Sequence, residues 1–201
     1  MTNSMLQGAT AANRAAVSAM FAPMKTNGNG SRSTSVAEST PENVPAAIPS
    51  IEHSALDWDF ERTVDDPDRM NVGDLVTFEK TIDEDDVRAF ATISGDTNRL
   101  HLDEGFAADT RFGDRIAHGT LVSGLISAAL ARLPGLTVYL SQDLQFRAPV
   151  FIGDRVSARV EIVEDLGNDQ FRLETIIRDE DEDTTIIDGE AVVLIDEMPE
   201  A

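Results

Sequence analysis

Cysteine is absent from this 201-residue chain. Disulfides, thiol catalysis and thiolate metal sites are thereby excluded, and the redox compartment leaves no mark on the sequence. Histidine is scarce, with only His53, His101 and His118, too few for a zinc centre built from several imidazoles. Lysine is confined to Lys25 and Lys80. Long hydrophobic runs are missing as well. The most apolar stretch, residues 116–133, contains His118 and Arg132 and reads as a core helix rather than a membrane span. Residues 1–37 carry no Asp or Glu, and acidic character begins at Glu38.

From there negative charge dominates. The 37 acidic and 16 basic residues give a formal charge of −21, a field that repels nucleic acid and anionic membrane surfaces and excludes both as expected partners. With lysine so rare, fourteen arginines supply nearly all the positive charge. An acidic, lysine-poor surface suits a salt-saturated cytoplasm, because molar salt shortens the screening length to about 3 Å and lets crowded carboxylates coexist. Folding is therefore expected to require high salt.

The length accommodates one domain with a substantial core plus an extension. Residues 6–24 place Leu6, Val17, Met20, Phe21 and Met24 near one helical face, a weak amphipathic pattern without the continuous apolar region of a secretory signal. Residues 25–50 are rich in Gly, Asn, Ser, Thr and Pro and read as a disordered linker. The division expected is an extension over residues 1–65 and a folded domain over 66–201. The extension reads either as a dispensable tail or as a recruiter to a granule surface or a protein partner, and the chain as a whole is expected in the cytoplasm.

Within the domain, residues 75–82 read as a first strand, with Trp58 and Phe60 folding back on the domain. Asp83 is placed to cap a short helix ended by Gly95. Residues 119–133 are apolar almost all round, interrupted by a narrow stripe of Thr120, Ser123, Gly124 and Ser127. That composition predicts a helix buried on every side. Four alternating strands follow, separated by turns at residues 165–169 and 179–183. A five-stranded antiparallel sheet wrapped round one central helix, of class α+β, accommodates this order. Its open edge strand predicts a two-fold homodimer.

The chemistry concentrates in Ser94-Gly95-Asp96-Thr97-Asn98-Arg99-Leu100-His101 and in Ala117-His118-Gly119. Locally, Asp96 is as well suited to bonding its own turn as to catalysis. A lone His101 fits a packing role better than a catalytic one. Together, beside a helix N-terminus, the two can hold a water molecule between them.

The run from Phe90 through Asp103, followed by Phe112-Gly113-Asp114-Arg115-Ile116-Ala117-His118-Gly119, resembles the hydratase signature of MaoC-like, (R)-specific enoyl-CoA hydratases. Leu133-Pro134-Gly135, Tyr139-Leu140-Ser141-Gln142 and Pro149-Val150-Phe151-Ile152-Gly153-Asp154 extend the resemblance, which spans roughly residues 72–196. It implies a hot dog fold. It also implies that Asp96 and His101 are the catalytic pair and that the Gly119 N–H binds the thioester carbonyl. Ser127 and Asn98 would position substrate or loop, and His118 would shape the turn before Gly119. The implied reaction is reversible syn addition of water to a trans-2-enoyl-CoA, giving an (R)-3-hydroxyacyl-CoA for polyhydroxyalkanoate synthesis or fatty-acid oxidation. No metal and no cofactor are implied, coenzyme A being part of the substrate. A branched or dicarboxylic acyl-CoA dehydratase, a thioesterase and a non-catalytic acyl-CoA-binding or granule-associated module are the alternatives.

One position departs from the family pattern. Arg99 stands where proline is usual, so the loop lacks a stiffening ring. Arg99 is placed either to meet a CoA phosphate or to pair with a neighbouring carboxylate. Gln142, alone among apolar neighbours, is expected to satisfy a buried polar group.

Overall fold

A computed structural model describes residues 57–196, so the amphipathic segment and linker expected within residues 1–50 lie outside the described residues. The elements run β1 (Trp58–Arg62), β2 (Leu75–Thr81), α1 (Glu84–Ser94), α2 (Arg99–Leu102), α3 (Glu104–Ala108), α4 (Gly119–Leu130), β3 (Leu136–Phe146), β4 (Arg155–Gly167), β5 (Gln170–Asp179) and β6 (Thr184–Asp196). The strands form one six-stranded sheet in the order β1-β2-β4-β5-β6-β3, antiparallel at every pairing.

Alternation decides which face of the sheet is covered. Val156, Ala158, Val160 and Ile162 on β4 are fully buried, as are Leu173 and Ile177 on β5. They join Val76 and Phe78 of β2 in one cluster with Val122, Leu125, Ile126, Ala129 and Leu130 of α4. The sheet thus wraps the central helix in the hot dog arrangement. The turn between β4 and β5 has Gly167, Asn168 and Asp169 at φ of 73°, 55° and 59°, a left-handed run that Gly, Asn and Asp tolerate best.

Two expectations need correction. The sheet has a sixth strand, since Trp58–Arg62 pairs with β2 in register from Trp58↔Lys80 to Arg62↔Val76. It contains Trp58 and Phe60, which fold back on the domain as expected, but as a paired strand. Trp58 meets Phe78 edge-on at 5.6 Å, and Arg132, from beyond the end of α4, lies 5.9, 5.2 and 5.4 Å over the rings of Trp58, Phe60 and Phe78. Five residues with two inward aromatics are too short to announce a strand, and the tertiary cation–π stack supplies what pattern does not. Second, α4 is not enclosed on every side, because Thr120, Gly124 and Ser127 are exposed in the single chain. The sheet covers one flank of the helix, and the small-residue stripe is the flank left open.

Gln142 behaves as expected. Its Nε2 donates at 2.9 Å to Oγ1 of Thr175, a fully buried hydroxyl two strands away. The reach is possible because the intervening β6 strand carries Gly189, which pairs with both Leu144 and Thr175. A Cβ on Gly189 would stand 2.0 Å from the Asp143 carbonyl oxygen.

Candidate active site

The loop after α1 is built by local bonds. Asp83 accepts from the Asp86 N–H and Asp86 reciprocates in a capping box, with Glu84, Asp85 and Asp86 in the first turn, where they suit the helix dipole. Gly95 ends the helix at φ 76°, its N–H bonded to the Ala91 carbonyl, so the chain turns sharply before Asp96. The Asp96 N–H then donates to Ser94 Oγ at 3.1 Å, and Asp96 Oδ1 accepts from the Asn98 N–H at 3.2 Å. Asp96 therefore makes the Asx-type turn bond and still presents its second carboxylate oxygen on an exposed loop. Asn98 caps α2, with Oδ1 accepting from the Leu100 N–H at 3.1 Å.

The short α2 helix then buries His101 to 9% exposure. Its Nδ1 lies 2.7 Å from the Ile116 carbonyl oxygen. A carbonyl can only accept, so Nδ1 is the donor; in the neutral imidazole that leaves the lone pair on Nε2, a base oriented by its far-side bond. His118, 2% exposed, has Nε2 at 3.0 Å from the backbone oxygen of Asp96. By the same reasoning Nε2 is its donor. The two imidazoles stack at 3.9 Å with planes 33° apart.

Asp96, His101 and His118 each offer a ligand-type atom within 4.8 Å of the other two.

Gly119 opens α4, with His118 as its cap residue and no capping side-chain bond there. The first-turn N–H groups of a helix have no intrahelical acceptor, and the dipole makes that end attractive to developing negative charge. Space beside Gly119 is tight, since an added Cβ would stand 2.9 Å from Cε1 of Phe146. Gly119, Phe112, Ile116, Val122, Phe146 and Pro149 contribute to a largely apolar cleft of about 340 Å³, which Arg111 and Arg147 also line. Ser127 sits eight residues along the helix, about 12 Å from Gly119 at 1.5 Å per residue, on the exposed stripe.

Two ion pairs brace these parts. Arg115 grips Glu84 through Nη1 at 3.1 Å and Nη2 at 2.5 Å, tying the turn before Gly119 to the start of α1. That contact, principally the Arg115 hydrogen bond, holds the Glu84 carboxyl below its usual range. Arg99 bonds Asp103 at 3.0 and 2.7 Å and lies 4.6 Å over the Phe106 ring, so in this structure it faces a carboxylate. The Phe106 N–H and then Arg99 hold the Asp103 carboxyl below its usual range.

Residues 69–184 match the MaoC-like domain model. The chain belongs to the MaoC-like dehydratase family. It is 47% identical over 134 residues to a 3-hydroxybutyryl-CoA dehydratase of Methylorubrum extorquens, covering 66% of this chain and 85% of that relative. It is 41% identical over 128 residues to an (R)-specific enoyl-CoA hydratase of Rhodospirillum rubrum, covering 61% of this chain and 86% of that relative. Among solved structures, the R-hydratase PhaJ1 from Pseudomonas aeruginosa superposes with a TM-score of 0.63 at 35% identity, covering 70% of this chain and 90% of that one. The (R)-hydratase from A. caviae involved in PHA biosynthesis gives 0.61 at 37% identity, covering 63% of this chain and 98% of that one. The MaoC-like chain thus gathers Asp96, His101 and His118 within 4.8 Å of one another and uses Asn98 as a helix cap.

Proposed function

We propose that this MaoC-like protein is an (R)-specific enoyl-CoA hydratase, adding water reversibly to trans-2-enoyl-CoA. The observation that carries the reading is the span between the Asp96 carboxylate and a ring nitrogen of His101, within 4.8 Å. One water donating two hydrogen bonds of ordinary length at a tetrahedral angle bridges about 4.5 Å. Both groups accept, so that water directs both hydrogens to the protein and keeps its lone pairs for C3 of the substrate. Its oxygen bonds to C3 as one proton passes to an acceptor and is returned to C2 on the same face. The enolate charge that gathers on the thioester oxygen is met by the Gly119 N–H and the α4 dipole. Water and enoyl thioester balance the product, so no redox partner or cofactor enters.

The apolar cleft beside Gly119 suits an acyl chain. β3 is an edge strand with Leu136 and Tyr139 exposed, which supports pairing of two copies into a homodimer. Supply of (R)-3-hydroxyacyl-CoA to polyester synthesis is the role we favour, with fatty-acid oxidation as the other use of the same product. The test is loss of the conjugated thioester's ultraviolet absorbance with enoyl-CoAs of increasing chain length in molar KCl. Turnover with a chain-length preference supports the reading. Inactivity on all of them, with acyl-CoA binding retained, would favour a binding module.

A further inference from the structure

Two side-chain bonds run in opposite directions between the catalytic loop and the turn that opens α4. His101, from the loop side, bonds the Ile116 carbonyl at 2.7 Å. His118, from the turn side, bonds the Asp96 carbonyl at 3.0 Å. The rings that make these bonds stack on each other at 3.9 Å, and the Phe90 ring of α1 lies 4.9 Å from that of His118. The turn itself is anchored to the body of the domain by the Ala117 N–H to the Val150 carbonyl at 2.8 Å and by an antiparallel bridge between Ile116 and Phe151.

We infer that His118 is a positioning residue of this site, holding the Asp96 loop and the Gly119 N–H in register through a reciprocal histidine clasp. This rests on the hydratase reading above. Packing alone does not explain an imidazole here. Nδ1 of His118 is buried with no hydrogen-bond partner among the described residues, a loss of stability that a phenyl ring of similar size would avoid. What the imidazole gains over a phenyl is the Nε2 donor, and that donor meets the backbone of the residue carrying the catalytic carboxylate. His118 is also the residue before Gly119. One side chain therefore links the group that orients water at C3 to the group that receives charge at the thioester oxygen. Conjugate addition needs both ends of the enoyl group served at once, so an error in their separation falls on the transition state more than on binding.

The full-length protein tests this with His118→Phe, which keeps ring and volume, and His118→Gln, which restores a donor. The measurements are kcat and KM for crotonyl-CoA and hydrogen exchange of the backbone amides of residues 95–101. With Tm and circular dichroism preserved, His118→Phe is expected to lower kcat about a hundredfold, the order that a 1 Å misplacement costs. KM should stay within about threefold, the pattern of an interaction realised in the transition state. The loop amides should exchange faster, and His118→Gln should recover at least about a tenth of the wild-type rate.

In an Asp96→Asn background the same His118→Phe change is expected to cost less than about threefold, because groups acting as a unit are non-additive. Should His118→Phe fail to fold, His118→Asn carries the comparison, its amide being too short to reach the Asp96 carbonyl. An unchanged kcat, unchanged loop protection, or an undiminished loss in the Asp96→Asn background would overturn the clasp. A wild-type protein inactive on every enoyl-CoA, with loop protection still lost in His118→Phe, overturns the hydratase reading and leaves the clasp standing.

Discussion

Asp96 and His101 reach their places by different routes, and the difference decides what each mutation should do. Asp96 is exposed and held by bonds within its own turn, so Asp96→Asn should leave the fold intact. His101 is buried and bonded across the site to Ile116, so His101→Ala should also cost some stability. Both are expected to lose at least about a hundredfold in kcat, the usual cost of deleting a general acid–base group, measured on crotonyl-CoA with unfolding curves alongside. What singled out these two residues and Gly119 in the sequence was the resemblance to the MaoC-like signature, since the local pattern suited Asp96 equally to bonding its own turn and His101 better to packing. The Arg99–Asp103 pair was half legible, four residues apart at helical spacing. The clasp by His118 was not legible. It is a ring meeting a backbone carbonyl 22 residues earlier, and no residue pattern records which carbonyl a side chain will find.

At the scale of elements, the contact between α1 and the turn before α4 runs through Glu84 and Arg115. Glu84 has its carboxyl lowered from an ordinary value of 4.5. A carboxyl lowered on folding adds stability at pH values above its unfolded pKa, and the contribution fades as pH falls through the lowered folded value. Glu84→Gln should therefore reduce Tm at pH 7 by about 2–4 °C, as befits a partly exposed pair worth up to about 1 kcal/mol. The gap between variant and wild type should close as melts are taken to pH below about 4. A second element-scale dependence lies in the sheet. Gly189→Ala places a methyl 2.0 Å from the Asp143 carbonyl oxygen, against backbone that cannot rotate away. It should destabilise by at least about 1–3 kcal/mol, the overpacking range, in chemical denaturation. The helix, five of the six strands and their turns were readable from period and punctuation. β1 was not, because its stability comes from Arg132 and three aromatic rings brought together only by the fold.

For the whole molecule, charge is the governing quantity. The described ion pairs engage most of the arginines, among them Arg147 with Asp188, and Arg172 with Glu164 and Glu190. With 37 acidic residues against 16 basic ones, many carboxylates are left without a cation. Their mutual repulsion destabilises the compact state unless it is screened. Tm is expected to rise steeply between dilute buffer and molar KCl, and a flat profile would remove the halophilic reading of the composition. Among the described residues no helix is long and apolar enough to cross a membrane.

The central claim is that one water, held by Asp96 and His101, supplies both groups to the same face of the double bond. Hydration of crotonyl-CoA in deuterium oxide and molar KCl, followed by stereochemical analysis of the product, tests it most directly. The expected product is (3R)-3-hydroxybutyryl-CoA with one deuterium at C2, syn to the hydroxyl. A (3S) product, or deuterium anti to the hydroxyl, would contradict it.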